Sequence, residues 1–247
     1  MHLQYSIMNL AIDIGNTKTK IGLFKGRKLL WNISVPEIKP RIISGLLKES
    51  PVESAIVSTV NVKKSKAENA FVKIPRVIFL SGKTPLPFSS SYKTPATLGT
   101  DRLALTAGAL KYFPDKNVLI VSMGTCITYD FINSRKEYLG GSISPGLEMR
   151  LQALNTFTAR LPLVKPKPPK TLTGRSTEES ILTGVVLGII HEVEGFISQY
   201  RKEYPSLKVI LTGGDVSLFA EKIKNSIFAV PELSLTGLNE ILLYNSR

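Results

Sequence analysis

The sequence predicts an α/β protein built from two domains of similar design. The chain has 247 residues, of which 43% are hydrophobic, enough to bury one large core or two smaller ones. A stretch near the start, NLAIDIGNTKTKIGLF from Asn9, is echoed by NVLIVSMGTCITYDFI from Asn117. Both stretches have the pattern of an apolar strand, a turn containing Gly and Thr, and a second strand. An echo at about half the chain length favours duplicated α/β domains.

The first stretch is predicted to be a β-hairpin. Residues 10–12 are apolar, and residues 18–24 alternate apolar and polar side chains after a turn at Gly15-Asn16. Gly-Asn pairs turn many hairpins because both residues tolerate positive φ. The same turn also suits a phosphate group, since Gly15 admits a close ligand and Asn16 and Thr17 offer short polar groups. Asp13 at the end of the strand then indicates an intervening Mg²⁺. Both interpretations stay open on this stretch alone.

The rest of the first half is predicted to alternate strands and helices. Residues 27–35 have the pattern of a third strand, residues 40–49 that of a helix, and SAIVSTVN from Ser54 that of a buried strand. A second helix is predicted over residues 101–113. We place the domain boundary near residues 114–116, so that the domains span residues 8–115 and 116–247 and residues 1–7 form a disordered extension.

The second half is predicted to repeat this order. Residues 138–143 have the pattern of a third strand, and residues 145–155 and 177–200 have that of helices. The segment KVILTGGD from Lys208 mirrors SAIVSTVN of the first half. Residues 161–170 are rich in proline, which excludes a helix or a central strand and predicts a surface loop.

The composition of the chain indicates the cellular compartment in which the protein is expected. Cys126 is the only cysteine, so no internal disulfide can form and a reducing cytoplasm is expected. The longest apolar run, residues 184–190, is far short of the roughly 20 residues that span a bilayer. The first residues lack the features of a secretory signal. No membrane association is therefore predicted.

The net charge of the chain indicates which kinds of partner the protein attracts. Thirty-two Lys and Arg against 19 Asp and Glu leave a net charge of +13, which attracts polyanions and anionic substrates alike. Basic residues cluster at residues 63–66 and 164–170, but no arginine-rich arm, zinc knuckle or aromatic RNA-binding signature accompanies them. A solvated basic face is favoured over a nucleic-acid site.

Three turns of small residues follow predicted strands, at residues 13–17, 124–128 and 212–215. Backbone amides and Thr hydroxyls suit anionic oxygens because they donate hydrogen bonds without bulk. In duplicated halves these turns fit an ATP cleft, with two hairpins around the phosphates and Gly213-Gly214 beside the adenosine. Taken alone, Gly213-Gly214 is equally well an ordinary turn from a strand into a helix.

A fourth motif, Gly99-Thr100-Asp101-Arg102, precedes an apolar helical pattern. Helix capping explains Asp101 as an acid in the first turn but gives no reason for Arg102. In phosphoryl transfer to an alcohol, a carboxylate can accept the hydroxyl proton while a guanidinium binds an anionic part of the substrate. Few residues are needed because positioning and charge neutralisation do most of the work.

Taken together, the motifs resemble those of the type III pantothenate kinase family. They are Asp13 to Thr17, Tyr92 seven residues before the GTDR motif, Gly124-Thr125 with Thr128 and Asp130, YLGGSISPGLEMRLQALNTFTARLPLV, STEESILTGVVLG, LTGGD and LTGLNEILLYN. The similarity runs in order from about residue 8 to residue 245. It implies duplicated ribonuclease H-like domains of the acetate and sugar kinase, heat-shock protein, actin superfamily, with an interdomain ATP cleft. It also implies a homodimer that phosphorylates pantothenate with ATP, the first step of coenzyme A biosynthesis.

The resemblance also implies a role for each matching residue. Asp101 would accept the proton of the pantothenate hydroxyl, Arg102 would lie near the pantothenate carboxylate, and Asp13 would be oriented toward Mg²⁺. The residues implied at the ATP site are Asp13, Ile14, Gly15, Asn16, Thr17, Lys18, Thr19, Lys20 and Thr125. The residues implied at the substrate site are Tyr92, Gly99, Thr100, Asp101, Arg102 and Thr177, the last of them across the dimer interface.

One position departs from the family pattern. The second loop of the family usually reads Asp-x-Gly-Thr, and its Asp helps to bind a monovalent cation, typically K⁺, or NH₄⁺ in its place. Ser122 stands at that position here. A hydroxyl can coordinate K⁺ but brings no charge, so weaker dependence on the cation is predicted. Asp130 could substitute only if the fold brings it near.

The residues leave three functions open. The intact GTDR motif and first loop favour a kinase acting on pantothenate. A kinase of the same superfamily for another hydroxylated acid is the second possibility. The third is a catalytically weakened relative acting as a regulatory or nucleic-acid-binding accessory factor, which the charge of +13 and Ser122 favour. Loss of the proton acceptor would be expected first in a decaying kinase, and Asp101 is present.

Overall fold

A computed structural model of the protein describes residues 8–59 and 70–246. These residues form two compact units. Unit 1 contains the described residues up to Pro114, together with Lys136–Tyr138 and residues 232–246, and unit 2 contains Asp115–Arg135 and Leu139–Pro231. The units thus group residues 136–138 and the C-terminal helix with the first half, unlike the division at residue 116. The predicted extension, the basic cluster at residues 63–66 and the end of SAIVSTVN lie outside the described residues.

The elements follow the predicted alternation closely. The strands are β1 Met8–Ile14, β2 Thr19–Lys25, β3 Lys28–Val35, β4 Val52–Thr59, β5 Arg76–Phe79, β6 Ser89–Ser90, β7 Val118–Met123, β8 Cys126–Ile132, β9 Glu137–Pro145, β10 Lys208–Thr212 and β11 Phe228–Ala229. The helices are α1 Pro40–Glu49, α2 Thr100–Tyr112, α3 Leu147–Thr156, α4 Thr177–Leu182, α5 Gly188–Glu203, α6 Val216–Phe219 and α7 Leu233–Tyr244.

Unit 1 is built on a mixed sheet with the strand order β3-β2-β1-β4-β5. Strand β2 is antiparallel to both β1 and β3, whereas β4 lies parallel to β1 and β5 parallel to β4. The hairpin predicted at Gly15-Asn16 is confirmed, and it pairs Asp13 with Lys20. One face of the sheet carries a core that includes Leu10, Ile12 and Val57.

Helices α2 and α7 of unit 1 approach each other closely. A Cβ atom placed on Gly237 would lie 1.7 Å from the carbonyl oxygen of Ala104, and one on Gly108 would lie 2.5 Å from that of Leu233. Only glycine allows this contact between two helix backbones. The C-terminal helix therefore belongs to unit 1 because its backbone packs directly on α2.

Unit 2 repeats the strand order of unit 1. Its sheet runs β11-β10-β7-β8-β9, which is the order 3-2-1-4-5 once the strands of each unit are numbered along the chain. Strand β7 is antiparallel to β8 and parallel to β10, as β1 is to β2 and β4. The duplication predicted from the sequence echo is confirmed. The small strand β6 pairs with Glu137 and Tyr138, the part of β9 that belongs to unit 1.

The long helical segment of unit 2 continues past its predicted end. Helices α4 and α5 are joined without a break by a π-helical turn at Thr183–Leu187. The stretch Thr177–Glu203 is long and apolar enough to cross a membrane. Buried core helices pass the same test, and 44% of its apolar window is buried inside the protein, so this indication is weak. Residues 161–170 form neither helix nor strand, as predicted.

Candidate active site

Asp13 lies at the end of β1, the central strand of unit 1. Its register partners are Lys20 on β2 and Ser58 on β4. Burial raises the pKa of the Asp13 carboxyl above its usual value, the neighbouring Ser234 hydroxyl lowers it, and the negative charge of Asp101 raises it further. Asp13 and Asp101 are thus close enough to act on each other, and a cation between or beside them would relieve their repulsion.

The first loop turns directly after this carboxylate. The amide of Gly15 donates a hydrogen bond of 3.1 Å to the carbonyl oxygen of Lys18. Residues 16–18 are exposed, whereas the Thr19 side chain is buried. A Cβ atom on Gly15 would lie 3.2 Å from the carbonyl oxygen of Lys18, so glycine keeps this turn tight. The loop presents backbone and short polar groups to solvent beside Asp13, which is the arrangement an anionic ligand requires.

Helix α2 begins beside the end of β4, next to β1. The hydroxyl of Thr100 donates a hydrogen bond of 3.3 Å to the carbonyl oxygen of Thr59, and its oxygen lies 3.0 Å from the Ser58 hydroxyl. A Cβ atom on Gly99 would lie 2.3 Å from Oδ1 of Asp101. Gly99 therefore leaves the space that the Asp101 carboxylate occupies at the helix N-terminus, where a negative charge is favourable.

Arg102 is buried against two aromatic rings. The residue is only 5% exposed to solvent. Its guanidinium carbon lies 5.6 Å from the ring centroid of Tyr92 and 6.0 Å from that of Tyr138. The two rings lie 6.2 Å apart. Cation–π contacts of this kind strengthen when the cation is desolvated. The guanidinium is thereby held in a fixed orientation in the same helical turn as Asp101.

Tyr138 is a residue of this site that sequence reasoning missed. It is fully buried, and the amide of Ser91 donates a hydrogen bond of 3.0 Å to its carbonyl oxygen. Pairing of β6 with the start of β9 thus brings Tyr92 and Tyr138 together. In the sequence, Tyr138 is the first residue of a predicted strand and of the motif that begins YLGGSISPG, but neither pattern places it beside Tyr92 and Arg102.

The second loop lies in unit 2 between β7 and β8. The amide of Gly124 donates a hydrogen bond of 3.1 Å to the carbonyl oxygen of Cys126, and the amide of Gly146 donates one of 3.0 Å to that of Thr125. A Cβ atom on Gly146 would lie 2.0 Å from the carbonyl oxygen of Gly124. The turn at Gly146 therefore packs directly on the backbone of the loop.

Ser122 lies opposite Thr128 in the antiparallel pair β7 and β8. The Thr128 hydroxyl donates a hydrogen bond of 3.0 Å to the carboxylate of Asp130, which is fully buried. Because residues two apart on a strand share a face, Asp130 lies on the same side of the sheet as Ser122. The fold thus places a carboxylate on the face of the serine that departs from the family pattern.

The turn at residues 212–215 supports the second loop from the other side. Gly213 has a φ of 107°, and a Cβ atom there would lie 2.1 Å from the carbonyl oxygen of Met123. The amide of Asp215 donates a hydrogen bond of 3.1 Å to the same oxygen. Burial raises the pKa of Asp215, and the charge of Glu148 raises it further. Both the backbone conformation and the close approach require glycine at residue 213.

Thr177 begins helix α4 and is exposed. The side chain of Ser176 caps this helix by accepting a hydrogen bond of 3.2 Å from the amide of Glu179, and the Glu179 carboxylate accepts one of 2.8 Å from the amide of Arg175. These two hydrogen bonds fix the start of the helix, and Thr177 lies at the surface of unit 2.

Comparison with known proteins decides the family. The sequence model of the type III pantothenate kinases matches residues 9–199. The chain belongs to the type III pantothenate kinase family. It is 45% identical over 238 residues to the type III pantothenate kinase of Cytophaga hutchinsonii, covering 96% of this chain and 100% of the relative. The enzyme of that name from Christiangramia forsetii is 45% identical over 240 residues, covering 96% and 99%.

A solved structure agrees with the fold of a type III pantothenate kinase described above. That structure, of a Baf family protein from Campylobacter jejuni, superposes with a TM-score of 0.60 at 21% identity, covering 96% of this chain and 98% of the other. At this identity the similarity concerns the fold alone. Two sheets of order 3-2-1-4-5 give this family member the duplicated ribonuclease H-like fold of the acetate and sugar kinase, heat-shock protein, actin superfamily.

Within unit 1 the structure brings together several residues expected at the active site of a type III pantothenate kinase. They are Asp13 with its loop, Tyr92, Gly99, Thr100, Asp101 and Arg102. Within unit 2 it brings the residue 213 turn beside the loop that carries Thr125, and it leaves Thr177 on another helix. Within residues 8–59 and 70–246, His, Cys, Asp and Glu side chains form no group of three that could hold a metal ion. Mg²⁺ fits Asp13 nevertheless, since this ion is usually held by one or two carboxylates and by substrate phosphates.

Proposed function

We propose that the protein transfers the γ-phosphoryl group of ATP to the hydroxyl of pantothenate, which gives 4′-phosphopantothenate, in the first step of coenzyme A biosynthesis. The match over nearly the full length of pantothenate kinases carries this proposal. The position of Asp101 supports the proposal, because this carboxylate lies at the start of α2 and its negative charge raises the pKa of Asp13.

Asp101 is the proposed catalytic base. The hydroxyl oxygen of pantothenate forms a bond to the γ-phosphorus, the bond from phosphorus to ADP breaks, and the hydroxyl proton passes to the Asp101 carboxylate. Gly99 has no side chain and so leaves room for the Asp101 carboxylate, and the hydroxyl of Thr100 bonds the start of the helix to β4. These contacts hold the base in one position before substrate binds.

ATP is proposed to bind through both loops. The residues assigned to the phosphates in the first loop are Asp13, Ile14, Gly15, Asn16, Thr17, Lys18, Thr19 and Lys20, and Thr125 is assigned in the second. Asp13 would hold Mg²⁺ indirectly. When bound with ATP, Mg²⁺ supplies neutralisation of the charge on the phosphate oxygens. The raised pKa of Asp13 is consistent with a buried carboxyl group whose ionised form a bound cation would stabilise.

Pantothenate is proposed to bind where Arg102 can meet its carboxylate. A buried guanidinium packed against two tyrosine rings recognises a carboxylate well because few water molecules compete with it. The other residues assigned to substrate are Tyr92, Gly99, Thr100, Asp101 and Thr177. A K⁺ or NH₄⁺ ion is proposed near Ser122, bound more weakly than in relatives with an aspartate there.

The protein is proposed to act as a homodimer in the cytoplasm, with Thr177 reaching the substrate of its partner. Unit 2 exposes several large apolar side chains between residues 139 and 172. They are Leu139, Ile143, Met149, Phe157, Leu163 and Leu172. Apolar side chains exposed in such number on one segment are typical of a surface that another chain covers. The single free thiol agrees with a reducing compartment.

A coupled assay of ADP release tests the proposed function. Wild type, Asp101→Asn and the matched control Asp115→Asn are incubated with Mg-ATP and pantothenate. Turnover that depends on pantothenate, falls by about 10² or more in Asp101→Asn and persists in the control supports the proposal. Absence of pantothenate-dependent ADP release in the wild type, with K⁺ or NH₄⁺ present, would reject it.

A further inference from the structure

A group of polar side chains in unit 2 connects helix α5 to strand β9. Nη2 of Arg150 lies 2.6 Å from Oε2 of Glu192, and both side chains are mostly buried, with 21% and 25% of their surface exposed. The hydroxyl of Tyr129 donates a hydrogen bond of 2.7 Å to the other carboxylate oxygen of Glu192. The hydroxyl of Ser144 donates one of 3.2 Å to Oε2. Glu192 therefore accepts from three different elements.

The same arginine also holds the end of β9. Its Nε donates a hydrogen bond of 2.8 Å to the carbonyl oxygen of Pro145, and its Nη2 donates one of 2.8 Å to the Ser144 hydroxyl. A planar guanidinium can bond a carboxylate and a backbone carbonyl at once, which a lysine ammonium does less well. Glu192 therefore fixes Arg150, and Arg150 fixes the segment that precedes Gly146.

Gly146 connects residues 144 and 145 to the second loop by direct backbone contact. Its amide donates a hydrogen bond of 3.0 Å to the carbonyl oxygen of Thr125. A Cβ atom on Gly146 would lie 2.0 Å from the carbonyl oxygen of Gly124 and 2.6 Å from that of Thr125. With backbone against backbone and no space between, a shift of residues 144–146 must move Thr125 or break its hydrogen bond.

The position of Glu192 is itself well defined. Its neighbours on α5, Ile189 and Val193, are fully buried in the core of unit 2. The ring of Tyr129 stacks on that of Phe196 with centroids 4.0 Å apart, one turn beyond Glu192. Although burial raises the pKa of the Glu192 carboxyl, the hydrogen bonds from Arg150, Tyr129 and Ser144 lower it, and the net shift is downward. The carboxylate is thus a rigid, ionised anchor.

We infer that Arg150 and Glu192 are positioning residues that hold residues 144–146 against the second loop and so place Thr125 for nucleotide binding. The inference rests on the proposed function, in which Thr125 contacts ATP. Neither residue touches the nucleotide in this account. Their effect reaches ATP through the Gly146 amide, so it concerns the affinity for nucleotide and leaves the residues of unit 1 that are assigned to pantothenate unaltered.

Glu192→Gln tests the inference, because it removes the charge and keeps the shape of the side chain. The dissociation constant of a fluorescent ATP analogue, mant-ATP with Mg²⁺, is expected to rise about tenfold, as when a charged hydrogen bond is lost. The KM for ATP should rise in parallel, while the KM for pantothenate stays within about twofold of wild type. Arg150→Lys should show the same separation of the two KM values.

Glu194→Gln is the matched control. Glu194 lies on the same helix and its carboxylate accepts a hydrogen bond of 2.8 Å from the amide of Lys224, outside the contacts of Arg150. The control should bind mant-ATP as wild type does. A role in stability alone would lower the melting temperature of Glu192→Gln and leave nucleotide affinity unchanged in the folded variant.

The inference is overturned if folded Glu192→Gln binds mant-ATP within about twofold of wild type, or if both KM values rise equally. Should Glu192→Gln fail to fold, Tyr129→Phe removes a single hydrogen bond to Glu192 and is expected to weaken mant-ATP binding by about threefold. An unchanged constant in that variant would then count against the inference. If wild type binds mant-ATP but does not turn over pantothenate, the proposed function fails while this test still applies.

Discussion

The hydroxyl oxygens of Ser58 and Thr100 lie 3.0 Å apart and join the end of strand β4 to the first residue of helix α2. The Thr100 hydroxyl donates a hydrogen bond to the carbonyl oxygen of Thr59, so the Thr100 hydroxyl oxygen accepts one from the Ser58 hydroxyl. This pair of bonds fixes the start of the helix that carries Asp101. The strand next to β4 carries Asp13, so both carboxylates are positioned by the same two strands.

Thr100→Val should therefore disturb Asp101 without changing its chemistry. Valine keeps the shape of threonine but cannot bond Ser58 or Thr59, and the buried Ser58 hydroxyl loses its partner. We expect the free energy of unfolding to fall by about 1 kcal/mol and kcat to fall as well. Urea unfolding and the ADP-release assay measure the two effects. Thr97→Val, which removes the exposed hydrogen bonds of the Thr97 hydroxyl to Thr94, should alter neither quantity.

Asp13→Asn should stabilise the protein at neutral pH while abolishing activity. The pKa of Asp13 is raised in the folded state from its usual value of 3.8, mainly by burial. The folded state therefore holds the proton more tightly than the unfolded chain, and this contribution to stability is lost as pH rises through the folded pKa. Asparagine cannot ionise, so the variant does not lose this stability as the pH rises.

Melting temperatures of wild type and Asp13→Asn at pH 8 and pH 4 check this expectation. The melting temperature of the variant should exceed that of wild type at pH 8, and the difference should shrink toward pH 4, because the raised pKa lets the wild-type carboxyl take up its proton as the pH falls. Asp115→Asn serves as the control for the loss of one surface charge. A variant that melts below wild type at pH 8 contradicts the argument.

Tyr138 should affect pantothenate binding through its ring. Tyr138→Phe keeps the ring beneath the guanidinium of Arg102, whereas Tyr138→Leu keeps apolar volume but removes the cation–π contact. We expect the leucine variant to raise the KM for pantothenate by about tenfold and the phenylalanine variant to resemble wild type. Steady-state kinetics at saturating ATP separate them. Equal values for the two variants would show that the ring does not position Arg102.

Ser122→Asp should restore the cation response of the family. An added carboxylate on the face that Asp130 shares strengthens binding of a monovalent cation. The half-saturating K⁺ concentration should fall in this variant, and wild type should keep part of its activity without K⁺ or NH₄⁺. Ser122→Asn is the neutral control. Wild type that is inactive without these ions and saturates at the same K⁺ concentration as Ser122→Asp would refute the prediction.

Gly237→Ala should destabilise unit 1 strongly. Its methyl group would lie 1.7 Å from the carbonyl oxygen of Ala104, so α7 must move away from α2. We expect a loss of about 1 to 3 kcal/mol or more. Gly45→Ala in α1 meets no atom within 4 Å and should stabilise the protein by about 0.5 to 1 kcal/mol. Urea unfolding of both variants gives the comparison, and similar stabilities would contradict the close contact.

Local sequence determined the elements of this protein and their order. Helix α1 spans the predicted residues 40–49, and the hairpins around Gly15 and Gly124 form where alternation and turn residues placed them. Motifs such as GTDR indicated the family because each is a short, contiguous segment. Periodicity and turn chemistry act over a few residues, so they can be read without knowing the fold.

Tertiary structure alone decided which distant residues meet. Tyr138 joins Tyr92 only because β6 pairs with the start of β9, and Glu192 meets Arg150 only because α5 packs on the sheet of unit 2. The C-terminal helix belongs to unit 1 through its contact with α2. Such contacts, and the desolvation that raises the pKa of Asp13, depend on packing between segments far apart in the chain, which no local pattern encodes.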